Sequence, residues 1–400
     1  MAKKSKTLNI LCGNIVGGGE GMKKIYFPLL LIILIAGCIG SSTQSQTTEP
    51  AAIQAAAAKT QIEPYTLKVE ETELITQFHG DPINADLRLF MAGNQFVVMD
   101  LLVEEFQRQN PGTEVFYVTI PPGKLLRWIK AGGLEIRSKH STPGGPGFRL
   151  SILPDVYTSV NKAHMDKLHE AGLITKFYTY AHNRLVLMTS SSDPLAGKKL
   201  SPREFYDLMA DPNVVISEPD ILTQGIERHI WQMYTDTSKV VFPDDAAIQN
   251  LNPKMFKPGE LSKDPANSLR RIVYHDKVKE GRTLLTEVHH IETPDYIRSG
   301  KARLGPVWVT EVLFQQNRLG ATDIAAIEID GLGPDGKHLD RREKVNYLAA
   351  IVDGTIDPAH REAAEAWINF LRSPRAQEIL ESVGFIPATQ EELQKPFIYG

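Results

Sequence analysis

Leu87–Val115 reads LRLFMAGNQFVVMDLLVEEFQRQNPGTEV, and the fold class turns on it. Leu87 to Met91 is an apolar, strand-like run that enters Ala92-Gly93-Asn94. Val98, Leu101, Leu102, Glu105 and Phe106 then mark the helical spacing of an apolar face beside a charged one. Asn110-Pro111-Gly112 stops that helix, and Thr113 to Ile120 is β-rich. A second helix is predicted from Gly123 to Ala131, ended by Gly132-Gly133. Strand, helix, strand, helix calls for crossover connections, hence an α/β fold with helices on the faces of a sheet. Ligands of such sheets sit beyond the carboxyl ends of the strands, against helix N-termini. Gly93-Asn94 and Pro154–Ser159 are the two strand-to-loop junctions in that position, separated by a Pro/Gly-rich loop from Arg137 to Phe148.

Four hundred residues, 42% apolar and 23% charged, are enough for two domains. A net charge of -4 argues against nucleic acid as a partner, which would need a basic face. The two cysteines, Cys12 and Cys38, both lie near the N-terminus and leave the folded region without any. Lys23-Lys24, the apolar run Ile25–Ile35 and the small residues before Cys38 have the pattern of a secretory signal. The alternative is an uncleaved anchor, for which the run is short against the roughly 20 residues of a span. Met22 suits the start of such a signal. Residues 39–85 read as a flexible tether and lead-in, the tether being the Ser/Thr/Gln/Ala stretch from Ser41 to about Lys59.

Further on, Ser201-Pro202, Asp357-Pro358 and Ser373-Pro374 each place an N-cap acceptor before a residue that needs no donor, so each starts a helix. Gly384 closes the last one. Residues 236–282, rich in Pro, Asp and Lys, read either as a lid or as a solvated excursion. Thr283–Glu311 contains His289, His290 and Glu292. On an extended chain His290 and Glu292 share a face. They could ligate a transition metal, or a protonated histidine could pair with an anion; otherwise one ring packs and the other is solvated.

The stretches Leu87–Val115, PDVYTSVNKAHMDKLHEAGLI (154–174), YAHNRLVLMTSSSDP (180–194), GPVWVTEVLFQ (305–315) and VNYLAAIVDGTIDPAHREAAEAWINFLRSPRAQEILESVGFIP (345–387) together resemble the substrate-binding proteins of molybdate and tungstate ABC transporters. The resemblance implies two Rossmann-like lobes with mixed sheets, joined by crossover strands, as in type II periplasmic binding proteins. It divides the chain into a signal region ending at Cys38, the tether, lobe 1 from 86 to 180, a crossover at 181–189, lobe 2 from 190 to 311, a return at 312–343 and the rest of lobe 1 from 344 to 400. Cys38 would carry lipid and hold the protein at the outer face of the cytoplasmic membrane.

A molybdate- or tungstate-like oxyanion would sit between the lobes and pass to an ABC permease, or be presented to a membrane sensor. The expected contacts are Asn94, Thr158, Ser159, Gln224, Gly225, Glu292 and Trp308, with His289 and His290 as metal ligands alongside Glu292 in the alternative reading. Asn94 stands where the family uses serine; its amide donates but also brings a carbonyl that repels anions. Trp308 replaces a tyrosine and donates only through its indole N–H. The resemblance implies a monomer with no cofactor and no chemistry of its own. No nucleophile elbow, phosphate loop or metallohydrolase motif supports the remaining alternative, a surface-anchored enzyme.

Overall fold

The computed structural model describes residues 78–137, 149–220, 225–252, 254, 258–286, 292–343 and 345–400. Cys38, the signal and residues 39–77 lie outside them; residues 78–85 are not tether, because Phe78–His79 pairs antiparallel with Tyr117–Val118 and Ala85 is buried in the core.

The chain lays down β1 (Leu87–Ala92), α1 (Met99–Gln109), β2 (Val115–Ile120), α2 (Pro122–Lys130), β3 (Val156–Ser159), α3 (Lys162–Glu170) and β4 (Lys176–His182). It crosses at Asn183-Arg184 into β5 (Leu185–Ser190), α4 (Pro202–Ala210), β6 (Ile216–Pro219), α5 (Glu227–Val241), β7 (Thr283–Thr286), α6 (Thr293–Arg298), β8 (Leu304–Trp308), α7 (Val309–Leu313) and β9 (Ile324–Ile329). It then returns to β10 (Asn346–Ile351), α8 (Arg361–Leu371) and α9 (Pro374–Ser382).

Two mixed sheets result. The first runs Phe78–His79, β2, β1, β3, β10, β4, Ile386–Pro387; the second runs β7, β6, β8, β5, β9, Lys199–Leu200. In the first, β1 is parallel to β2 and β3 while β10 is antiparallel to β3 and β4. In the second, β6 is parallel to β7 and β8 while β5 is antiparallel to β8 and β9. The mixed character follows from the connection: β10 enters the first sheet from the second, opposite in sense to the strands that the crossover helices produce.

Alternation along β1 shows why the sheet is covered on both faces. Leu87, Leu89 and Met91 pack with α1, α8 and α9 through Leu102, Phe106, Trp367 and Ile379. Phe90 points the other way, toward Leu125, Ile129, Met165 and Leu168 of α2 and α3. Each such side chain, fully buried, contributes about 1.5–3 kcal/mol.

The caps expected from sequence form. Ser201 and Glu204 make a reciprocal capping box, Asp357 accepts from the Ala359 amide at 2.9 Å, and Ser373 accepts from the Ala376 amide at 3.2 Å. Gly384 takes φ 94°, and a Cβ there would fall 2.3 Å from Leu313 Cδ1, so only glycine closes this turn. Arg184 makes an ion pair with Glu328 at 2.9 Å.

Residues 236–282 differ from both expectations. Where described, they complete α5 and add short helices that bury Leu261, Leu269, Val273 and Tyr274 in the main core. Ser238 shows how a polar residue is accommodated there: its hydroxyl donates to Tyr234 O at 2.8 Å and accepts from the Leu269 amide at 3.0 Å. Polar composition here does not mean solvent. No helix among the described residues is long and apolar enough to cross a membrane.

Candidate interlobe binding site

Parallel pairing of β1 with β3 brings the two sequence-derived junctions side by side. At the first, β1 runs into a 3-10 turn, Gly93–Val97. The Ala92 amide donates to Thr158 Oγ1 at 2.8 Å, and the Thr158 hydroxyl donates to Gln95 Oε1 at 2.8 Å. Thr158 has one hydrogen, so its proton is committed within the protein. Gln95 is placed with its oxygen toward Thr158. Gln95 Nε2, in a fully buried residue, has no partner. Asn94, only 4% exposed, donates from Nδ2 to the Tyr347 hydroxyl in a short bond.

At the second junction Ser159 is fully buried, and its Oγ lies 3.0 Å from His164 Nδ1. The Asn161 amide donates to Ser159 Oγ at 3.1 Å, and Asn161 Oδ1 caps α3 through the Ala163 amide at 3.0 Å.

The second lobe meets this wall through the start of α5. A methyl placed on Gly225 would lie 3.9 Å from Pro122 and 4.0 Å from Val160, ordinary contact across the lobes. Arg228 Nη1 donates to Asn161 Oδ1 at 3.3 Å. His229 faces the Val160 backbone and lies 5.5 Å from the Trp308 ring at 60°. Trp308, 2% exposed, ends β8 beside the hinge, where Asn183 donates to Thr310 Oγ1 at 3.1 Å.

Burial, with Lys167 and Arg228 nearby, pushes His164 down to about 4. Burial, with Arg341 and Arg228 nearby, pushes His229 down to about 3. Both rings are neutral at pH 7, so the seam offers uncharged donors, with the exposed cations Arg228 and Lys167 beside them.

Asn94, Thr158 and Ser159 thus share one wall, with Gly225 and Trp308 on lobe 2. Glu292 stands half-buried immediately before α6, without a side-chain cap bond. Gln224, His289 and His290 lie outside the described residues. Among the described residues no group of three or more His, Cys, Asp or Glu is placed to hold a metal.

Sequence reading passed over Gln95, His164, His229 and Tyr347. Gln95 is adjacent to Asn94 and reads as an ordinary polar helix residue. Tyr347 reads as core within an apolar strand, and only the acceptor its hydroxyl provides sets it apart.

Among solved structures, the chain is similar to the substrate-binding domain of a putative molybdenum ABC transporter from Clostridium difficile, with 16% identity, 76% of this chain and 99% of that one covered, and a TM-score of 0.47. It is similar to the periplasmic molybdate-binding protein of Azotobacter vinelandii at 17% identity, covering 76% and 100%, TM-score 0.47. It is also similar to the sulfate-binding protein SubI of Mycobacterium tuberculosis H37Rv at 13% identity, covering 77% and 88%, TM-score 0.49. No curated protein matches the chain. Residues 87–386 match the family model of the bacterial extracellular solute-binding proteins, and the chain belongs to that family.

Proposed function

We propose that this solute-binding protein captures a small oxyanion, of the molybdate or tungstate kind, between its lobes and hands it to an ABC permease, tethered to the membrane by lipid on Cys38. The observation that carries the ligand class is Gln95 Nε2, a buried donor with two hydrogens and no acceptor, at the carboxyl end of β1. A buried donor left unmet costs about 1–3 kcal/mol, and an oxyanion oxygen removes that cost. A dianion losing its hydration needs several fixed donors. Asn94, Ser159, Gly225, Trp308 and, beyond the described residues, Gln224 are the further contacts of this reading, with Glu292 at its edge.

Thermal unfolding with molybdate, tungstate, sulfate and phosphate tests it. A ligand at a thousand times its dissociation constant adds about 4 kcal/mol to the folded state. Stabilisation by at least one anion is expected; stabilisation by none sinks the reading. If divalent metal salts alone stabilise the protein, the ligand set passes to His289, His290 and Glu292.

A further inference from the structure

The hydrogens around Ser159 can be assigned by counting. Tyr157 Oη lies 2.9 Å from the Pro122 carbonyl oxygen, which has no hydrogen, so the phenol donates there. A phenol has one hydrogen, and Tyr157 Oη is also 3.2 Å from His164 Nδ1. In that contact the oxygen's remaining role is as acceptor, which favours a proton on Nδ1. The same Nδ1 lies 3.0 Å from Ser159 Oγ, which already accepts from the Asn161 amide at 3.1 Å. The one Nδ1 hydrogen is shared between Tyr157 Oη and Ser159 Oγ; together with the Asn161 amide it occupies the acceptor side of the Ser159 hydroxyl and leaves that hydroxyl's own hydrogen for a further group. A charged ligand oxygen is a strong acceptor for that hydrogen.

We infer, on the oxyanion reading above, that His164 is a positioning residue which holds its proton on Nδ1 and so fixes Ser159 as a hydrogen-bond donor, making the second junction selective for a ligand that offers a lone pair and no hydrogen there. Ligands that present an N–H, an ammonium or a bare metal ion to Ser159 are disfavoured, because its oxygen has no acceptor capacity left. Arg228, reaching from α5 to Asn161 beside this cluster, stands on the anion's side of the same selection.

Two measurements decide it. In a histidine-labelled protein, ¹⁵N–¹H correlation spectra distinguish a ring protonated on Nδ1 from one protonated on Nε2. His164, assigned by its loss in His164→Phe, is expected as the neutral Nδ1–H form at pH 7, and an Nε2–H form overturns the inference. Calorimetric titration with whichever of molybdate, tungstate or sulfate stabilises the wild type is the second. His164→Phe should weaken binding roughly tenfold to a hundredfold with the unliganded melting temperature retained, and His164→Asn, which can donate from nearly the same place, should recover most of it. Equal affinity in His164→Phe and wild type overturns the role. Wild type binding none of the anions instead removes the oxyanion reading, while the spectrum still decides the tautomer.

Discussion

Asn183, between the strands that leave one sheet and enter the other, donates from Nδ2 to the Tyr347 hydroxyl at 3.3 Å. The same amide nitrogen reaches Thr310 Oγ1 at 3.1 Å, and the same hydroxyl accepts from Asn94. One phenol oxygen therefore joins a wall of the candidate site, the crossover and, through Asn183, the second lobe. Tyr347→Phe would leave Asn94 Nδ2 buried without its acceptor, while Asn183 keeps Thr310. A loss of about 1–3 kcal/mol in urea unfolding is expected. An unchanged midpoint would show that the hydroxyl is dispensable.

Arg341 is the non-glycine residue with a left-handed backbone among those described, φ 68°, and it is buried. Its Nη1 donates to Asp236 Oδ2 of α5 at 2.8 Å. The turn around it is bonded to the crossover, with the Leu185 amide on Asp340 O at 2.8 Å and the Asn183 amide on Val345 O at 3.3 Å. The guanidinium thus ties the crossover to the helix whose first turn meets lobe 1. Removing one partner of a buried pair costs about 3–5 kcal/mol. Arg341→Ala should lose that much, and Arg341→Gly about 1 kcal/mol less, because glycine relieves the left-handed strain. Identical unfolding midpoints for the two variants would remove the strain argument.

Glu218, fully buried in β6, accepts from the Tyr274 hydroxyl at 2.9 Å and from Tyr234 in a short bond. Desolvation pushes its carboxyl up to about 8 despite both donors and the nearby Lys277. A carboxyl held neutral in the folded chain stabilises it fully below the ordinary value of 4.5, and that contribution is lost as pH rises toward about 8. Wild-type stability should fall across this window relative to Glu218→Gln, read as the difference between their pH profiles. Parallel profiles would mean that Glu218 ionises normally.

The fold was legible because its signals are local. Leu87–Val115 carries strand, helix stop and second strand within 29 residues, and the paired Ser-Pro and Asp-Pro caps reappear as real hydrogen bonds. Asn94, Thr158 and Ser159 were legible for the same reason: they sit at strand ends, and strand ends can be read. What each does was not. That Thr158 spends its proton on Gln95 depends on a partner 63 positions away, and Asn94 meets Tyr347 across 253. Residues 236–282 misled for a related reason. Asp236 looks like a surface residue until its partner, 105 positions later, is known.

Gln95 separates binding from folding. Gln95→Glu keeps the shape and the Thr158 bond but sets a carboxylate where the free donor was. Gln95→Met removes donor and acceptor together. On the oxyanion reading, Gln95→Glu should weaken anion binding by about a hundredfold or more and Gln95→Met by roughly tenfold. Calorimetric titration checks both, and wild-type affinity in Gln95→Glu would place the free nitrogen away from the ligand.

The seam between the lobes should also respond to acid. His164 faces Lys167 and, across the lobes, Arg228; His229 faces Arg228, Arg341 and the Val160 backbone. In the closed arrangement the two rings are held down to about 4 and about 3, whereas a hydrated ring titrates near 6.5. Opening the lobes hydrates the rings, so the open form binds protons more readily. The closed form therefore keeps its full advantage above 6.5 and loses it as pH falls toward about 4. Anion affinity should drop through that window, and faster than protonation of the anion itself accounts for, which sulfate isolates because it stays a dianion there. Replacing both histidines with glutamine should flatten the sulfate profile. A wild-type profile already flat between 6.5 and 4 would mean that the rings stay buried when the protein opens.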